Sequence, residues 1–118
     1  MSLKLIRHIH NIGQGAFYTE RFYSDGNNIA NIVYDCGCEC KLPARAKDLI
    51  KKSFQKNDSI TILFISHFDA DHVNGISTLK DSVKEISYVI LPELTKEEKI
   101  ILAVSSVANG EDASVNTR

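Results

Sequence analysis

The fold and the chemistry of this chain are decided by the stretch SHFDADHVNG at residues 66–75, which follows the apolar run ITILFI at residues 60–65. A short run of this kind, rich in β-branched residues, is typical of a buried strand. Open α/β sheets carry their binding sites beyond the carboxyl ends of such strands. Four side chains of metal-binding type lie there within six positions: His67, Asp69, Asp71 and His72.

Two imidazoles and two carboxylates form the mixed nitrogen and oxygen set that suits Zn, Mn or Fe. His67, Asp69 and Asp71 alternate, so their side chains can converge in an extended or gently turning loop, and His72 adds a nitrogen on the adjoining turn. A structural alternative stays open, because Asp71 or Asn74 would serve equally well to cap the helix that follows. Four ligand-type residues in six positions favour the metal site.

The loop resembles the signature loop of the metallo-β-lactamase-fold hydrolases, whose usual form is His-x-His-x-Asp-His. Here it reads His-x-Asp-x-Asp-His, with Asp69 at the position of the usual second histidine. That form resembles the branch containing the soluble domain of competence (DNA-uptake) proteins of the ComEC/Rec2 type. A Gly-Gln-Gly turn at residues 13–15 and a Tyr-Asp-Cys-Gly stretch at residues 34–37 also match in the right order, so the resemblance covers roughly residues 4–92.

The resemblance implies an α/β (α+β) fold, the metallo-β-lactamase-like αββα sandwich, of which this chain supplies about one half. We expect a mixed, mostly antiparallel sheet with flanking helices. Residues 1–118 are expected to form a single domain, the N-terminal portion of a metallo-β-lactamase-like domain, with a loosely ordered tail at 111–118.

The family completes its metal site with downstream ligands, yet no histidine follows His72 in this chain. Three explanations stay open. The chain is an N-terminal piece of a longer protein, which we favour, or a natural half that pairs with another chain, or a degenerate binding module that has lost catalysis.

The resemblance also implies a metal-dependent hydrolase of this superfamily that uses a metal-activated water. In the complete site His67 and Asp69 would hold one divalent ion, and Asp71 and His72 a second, with Asp71 also orienting the water or accepting its proton. Zn is the first choice, and Mn or Fe are alternatives because Asp69 adds negative charge and hardens the site. Asp35 is expected to orient ligands without binding metal, a plain turn-forming role being the alternative. The competence-protein branch makes a phosphodiester the favoured substrate.

Composition constrains the partners. The 118 residues carry 14 basic and 15 acidic side chains, a net charge of −1, which gives no electrostatic footprint for nucleic acid or an anionic membrane. A nucleic-acid partner is not excluded, but the net charge gives no support for it. No stretch approaches the roughly 20 apolar residues of a membrane span and no secretory signal is visible, so we expect a cytoplasmic location and no membrane partner.

A half-fold exposes an apolar sheet face, which predicts either a homo-oligomer or a second chain that completes the fold. The alternative function is therefore a non-catalytic half-domain that binds a partner chain through that exposed face.

Two smaller clusters carry weaker signals. Cys36, Cys38 and Cys40 alternate, an odd and tightly spaced set that does not indicate a disulfide framework. One interpretation is a soft-metal or redox site. The favoured interpretation is that the thiols are reduced and structurally incidental, with Cys36 in a small strand-end position. His8 and His10 would share one face of a strand, where a solvated face is favoured over a metal-binding pair.

The remaining pattern predicts strands and helices by periodicity and turn chemistry. A helix opening with a Thr95 cap and ending at Asn109-Gly110 closes the chain. The predicted strands are residues 3–12, 16–23, 29–34, 60–65 and 85–91, and the earlier helices are residues 42–54 and 76–83.

Overall fold

The computed structural model of the protein describes residues 1–39, 41–93 and 95–108. Within them, five strands form one sheet in the order β1-β2-β3-β4-β5. The strands are β1 (Leu3–Ile9), β2 (Gly15–Ser24), β3 (Asn27–Cys38), β4 (Ser59–Phe64) and β5 (Glu85–Ile90). The helices are α1 (Ala44–Ser53), α2 (Ala70–Val73), α3 (Ile76–Ser82) and α4 (Lys96–Ala108).

The sheet is mixed. Strands β1, β2 and β3 form an antiparallel meander, and β3, β4 and β5 are parallel to one another. The β2–β3 turn at Asp25 and Gly26 has φ of 50° and 83°, the left-handed geometry that matches the twist of a hairpin. Parallel neighbours need crossover connections, and these contain α1 between β3 and β4 and α3 between β4 and β5. The predicted mixed sheet with flanking helices is therefore confirmed.

The core lies between the sheet and the helices α1 and α3. Ile50 of α1 and Leu79 of α3 are fully buried, in one cluster with Val33 of β3 and Leu63 of β4. Removing such side chains from water supplies most of the stabilisation of a domain of this size. The same sheet carries apolar side chains that nothing in the described chain covers, including Tyr88, whose side chain is 69% exposed.

The observed elements differ from the predicted ones at the end of β3 and at α2. Strand β3 does not end near Asp35 but continues to Cys38, because Gly37 and Cys38 pair with Ala16 and Gly15 of β2. The Thr95 cap is confirmed, since the Glu98 N–H donates to Thr95 Oγ1 at 3.1 Å. The short helix α2 was not predicted at all.

The prediction of a solvated face is wrong for His10. Its ring stacks on His8 at 3.9 Å and on Phe17 at 4.2 Å between centroids, and Nε2 lies 2.8 Å from Thr19 Oγ1. Burial, with the neighbouring charges of His8 and Arg21, lowers the pKa of His10 to about 4. His10 is a half-buried packing residue of the β1–β2 connection.

Cys36 and Cys38 are free and fully buried, in agreement with the interpretation of Cys36 as a small strand-end residue. Three predictions fall on residues outside the described ones: the role of Cys40, the helix end at Asn109-Gly110 and the tail at 111–118. Among the described helices, none is both long and apolar enough to cross a membrane.

Candidate metal centre

The candidate ligands lie just beyond the carboxyl end of β4. His67 is in the loop after the strand, while Asp71 and His72 are on the single turn of α2. One ligand atom from each of these three residues lies within 4.8 Å of the others. The rings of His67 and His72 approach to 3.7 Å between centroids. The structure therefore brings together three of the four predicted ligands.

Asp69 stays outside this group. Its side chain is 76% exposed, and its Oδ2 lies 3.4 Å from His67 Nε2. It precedes α2 directly but makes no side-chain capping hydrogen bond to that helix. The described group is one cluster of three donors with a fourth beside His67, rather than two separate pairs. The metal-binding roles of all four residues, and that of Asp71 toward water, stay predictions.

One carboxylate, Asp35, connects both imidazoles. Its Oδ2 lies 2.9 Å from His72 Nδ1, and it accepts a hydrogen bond from the Ser66 hydroxyl at 2.6 Å. The Ser66 oxygen in turn lies 2.9 Å from His67 Nδ1. Because the Ser66 hydroxyl donates its one proton to Asp35, it can act only as an acceptor toward His67 Nδ1. The Asp35 carboxylate is likewise an acceptor toward His72 Nδ1, so both histidines carry their proton on Nδ1. The Nε2 atoms are then the free lone-pair donors, as metal-binding histidines require.

The ionised form of Asp35 is favoured in the folded chain. Burial alone raises the pKa of this carboxyl group, but hydrogen bonds from the Ser66 hydroxyl and N–H and from His72 outweigh burial and lower the pKa below its ordinary value. A negative charge therefore faces the Nδ1 side of His72. Such a partner fixes the orientation of the ring and favours cation binding at the opposite nitrogen.

A β-bulge places Asp35. Tyr34 pairs with Tyr18 and Cys36 pairs with Phe17, so Asp35 is an extra residue with no partner on β2. Its φ is 58°, in the left-handed region that few residues other than glycine, asparagine and aspartate adopt. Bulges of this kind re-aim one side chain and recur beside functional sites. Apart from the Asp-Cys-Gly stretch itself, no feature of the sequence indicated this bulge.

Two glycines let α2 lie against the β2–β3 hairpin. A Cβ on Gly37 would lie 2.7 Å from the Asp71 carbonyl group and 2.8 Å from the His72 nitrogen, and a Cβ on Gly15 would lie 2.8 Å from the Asp71 oxygen. Any side chain at either position would push the ligand-bearing turn away. Gly15, predicted as a turn residue, is the first residue of β2, and a Cβ there would meet the Gly37 carbonyl oxygen of β3 even before the Asp71 oxygen of α2.

Sequence reasoning missed two supporting residues, Ser66 and Asn74. Asn74 does not cap the following helix but fastens α2 to the end of β3. Its Oδ1 accepts the Cys38 N–H at 2.9 Å, and its Nδ2 donates to the carbonyl oxygens of Cys38 and Glu39 at 3.0 and 2.9 Å. Both residues stand inside the loop motif, but only the folded positions of Asp35 and Cys38 show what they bind.

The donor set fits a divalent cation. One ring nitrogen each from His67 and His72 and the Asp71 carboxylate, which is 39% exposed, form a three-donor group with access to solvent. Catalytic zinc sites commonly use three protein ligands and leave the fourth position open, whereas structural sites close all four. The group therefore has the composition of an open site.

A mixed sheet with these donors beyond the carboxyl end of β4 defines the class, an α/β domain with a candidate metal centre. Residues 27–111, well over half of the chain, match the family model of the Metallo-beta-lactamase superfamily. The chain belongs to this superfamily. A comparison with curated proteins gave no match. Because the match is to the superfamily as a whole, the narrower resemblance to the competence-protein branch stays a prediction.

Proposed function

We propose that this chain carries the metal-binding loop of a metal-dependent hydrolase, with a phosphodiester as the favoured substrate. The observation that supports this best is the hydrogen-bonded chain from His67 through Ser66 to Asp35 and on to His72. It engages Nδ1 of both histidines and leaves their Nε2 atoms as the candidate metal donors, of which that of His72 lies 3.7 Å from Asp71 Oδ2.

His67, Asp71 and His72 would hold the ion, and Asp35 orients both imidazoles without touching it. A divalent cation bound there would supply Lewis acidity and lower the pKa of bound water towards about 7. The Asp71 side chain is 39% exposed, so its second carboxylate oxygen could orient a water molecule or accept its proton. The phosphodiester assignment rests on the resemblance to the competence-protein branch alone.

Zn remains the first choice for the metal, with Mn or Fe as alternatives. Two imidazoles suit all three ions, and the exposed Asp69 carboxylate beside His67 adds hard negative charge. Two ions in the complete site would need further ligands. We propose that a second chain or a homo-oligomeric partner supplies these donors.

The second candidate is a non-catalytic half-domain that binds a partner chain. A row of paired residues crosses all five strands on one sheet face: Ile9, Tyr18, Tyr34, Phe64 and Ile90. Ile9 and Ile90 are 82% and 46% exposed. Neighbouring rings in the row stack, Tyr34 on Phe64 at 4.8 Å. An exposed apolar surface of this breadth is typical of an interface.

Hydrolysis of bis(p-nitrophenyl) phosphate by the chain loaded with Zn, Mn or Fe separates the two candidates. The hydrolase proposal predicts turnover that requires the metal and is lost in Asp71→Ala. An Asp81→Ala variant is the matched control, because Asp81 is an exposed aspartate on α3 that does not belong to the donor group. Turnover that persists without metal or in Asp71→Ala would contradict the hydrolase proposal, and metal binding without turnover would favour the binding module.

A further inference from the structure

Glu39, the residue directly after β3, has a left-handed backbone with a φ of 56°. Aspartate and asparagine adopt this region fairly often, but for glutamate it is uncommon and costs free energy. Such outliers persist only where the surrounding contacts hold them, and they cluster at functional sites. The contacts of Glu39 identify what this conformation holds together.

The left-handed turn brings two carbonyl oxygens to one side-chain amide. Successive carbonyl groups of an extended strand point in opposite directions, so one amide does not reach both. At Glu39 the chain turns, and the carbonyl oxygens of Cys38 and Glu39 both accept from Asn74 Nδ2, at 3.0 and 2.9 Å. The Cys38 N–H donates to Asn74 Oδ1 at 2.9 Å, so the amide of Asn74 pairs with Cys38 as a neighbouring strand would.

Asn74 transmits this attachment to the ligand-bearing turn. Its own N–H donates to the Ala70 carbonyl oxygen at 2.9 Å and closes the single turn of α2. That turn contains Asp71 and His72. The positions of these two candidate ligands therefore depend on the contacts that Asn74 makes with the end of β3 and with Glu39.

Two further contacts hold Glu39 in place. Its N–H donates to the Gln14 carbonyl oxygen at 2.6 Å, and its side chain accepts a hydrogen bond from Arg45 Nη2 at 3.1 Å. Arg45, on α1, also donates from Nη1 to the Ile12 carbonyl oxygen at 2.7 Å. The side chains of Arg45 and Glu39 are 56% and 46% exposed, so their ion pair contributes only modestly, but it offsets part of the cost of the left-handed backbone.

We infer that Glu39 is a positioning residue of the candidate metal centre. Arg45 holds Glu39 in its left-handed conformation, and Glu39 in turn presents two carbonyl groups to Asn74. The centre requires this conformation at residue 39 rather than the glutamate side chain itself. The inference rests on the proposed function, because the turn matters to hydrolysis only if it binds the metal.

Amide hydrogen exchange in the metal-free chain tests the attachment of the turn by itself. Two amides report on it: the Cys38 N–H, which donates to Asn74 Oδ1, and the Gly75 N–H, which donates to the Cys36 carbonyl oxygen at 2.8 Å. In Glu39→Val a β-branched residue disfavours the left-handed conformation and the ion pair is lost. Exchange of both amides should become about tenfold faster, because the turn detaches more often.

Asp25→Val is the matched control. Asp25 also has a positive φ, of 50°, but lies in the hairpin turn at the other end of β3, so its substitution strains the backbone away from the metal centre. Glu39→Gly should restore the slow exchange of the parent, because glycine adopts the left-handed region readily. Should Glu39→Val fail to fold, Arg45→Met tests the same contact against Lys47→Met, which removes an exposed cation from the same helix, with an expected difference of about threefold.

Metal affinity, measured by competition with a chelator, should be about tenfold lower in Glu39→Val than in Asp25→Val or Glu39→Gly. Equal affinities in Glu39→Val and Asp25→Val would overturn the inference whatever the exchange rates, and so would a Glu39→Gly variant as impaired as Glu39→Val. A parent chain that binds no metal but shows the expected exchange pattern would instead refute the proposed function and leave Glu39 as the residue that positions the turn.

Discussion

Asp35 Oδ2 and His72 Nδ1 lie 2.9 Å apart, although 37 positions separate the two residues in the chain. The contact links a bulge near the end of β3 to the turn of α2, and the Ser66 hydroxyl extends it to His67. Because Asp35 is held ionised, the contact fixes the His72 proton on Nδ1 and leaves Nε2 as a lone-pair donor. The proposed metal chemistry depends on this arrangement.

Asp35→Asn tests that dependence. Asparagine tolerates the left-handed backbone at φ 58°, so the bulge and the fold should survive, while the negative charge behind His72 is lost. We expect metal affinity to fall about 10- to 100-fold, measured by competition with a chelator. Asp81→Asn serves as the control and should bind metal like the parent. Unchanged affinity in Asp35→Asn would contradict the orienting role.

Gly37→Ala should displace the ligand-bearing turn, because the new methyl group would lie 2.7 Å from the Asp71 carbonyl group. Overpacking of this kind costs about 1–3 kcal/mol in the free energy of unfolding, and metal affinity should fall with it. Gly26→Ala is the contrasting variant, since its methyl group meets only open space but its φ is 83°. It should lose about 1 kcal/mol and keep its metal affinity. Equal metal affinities in the two variants would argue against the close approach.

Folding stability should depend on pH through His10. The folded-state pKa of about 4 lies below the ordinary value of 6.5, so between these values the unfolded chain binds the extra proton. Stability is therefore expected to fall as the pH drops from about 6.5 to about 4, with no further contribution below. Urea unfolding at pH 7 and pH 5 measures this, and the loss should be smaller in His10→Gln. A loss in His10→Gln as large as in the parent would show that His10 is not its source.

The thiols of Cys36 and Cys38 should resist iodoacetamide in the folded chain and react once urea unfolds it. Both side chains are fully buried, and burial, with the neighbouring Asp35 charge, raises the pKa of the Cys36 thiol. Mass spectrometry of labelled peptides would report each site separately. Rapid labelling of Cys36 in the folded chain would contradict its burial and favour the interpretation of this cluster as a redox site.

Local patterns were sufficient for most of the fold. The apolar run of β4 and the Thr95 cap each act through near neighbours, and each was predicted from sequence. The loop motif likewise located three clustered donors. What failed depends on distant contacts: β3 runs on to Cys38 because β2 pairs with it, and His10 is half-buried because Phe17 lies against it.

The same limit applies within the site. Alternation placed Asp69 with His67 and Asp71, as an extended loop would, but the helical turn of α2 groups Asp71 with His72 and leaves Asp69 exposed. That turn is held by Asn74 against the end of β3 and fits only because Gly15 and Gly37 lack side chains. These are tertiary restraints, which periodicity does not encode.

Metal content is the most direct test of the central claim that the loop binds a divalent cation. Elemental analysis after mild purification should find about one ion per parent chain and almost none in the double variant Asp71→Ala, His72→Ala. A control carrying His8→Ala and Asp81→Ala removes the same residue types elsewhere and should retain the ion. A metal-free parent, or equal metal in the parent and the loop variant, would contradict the account.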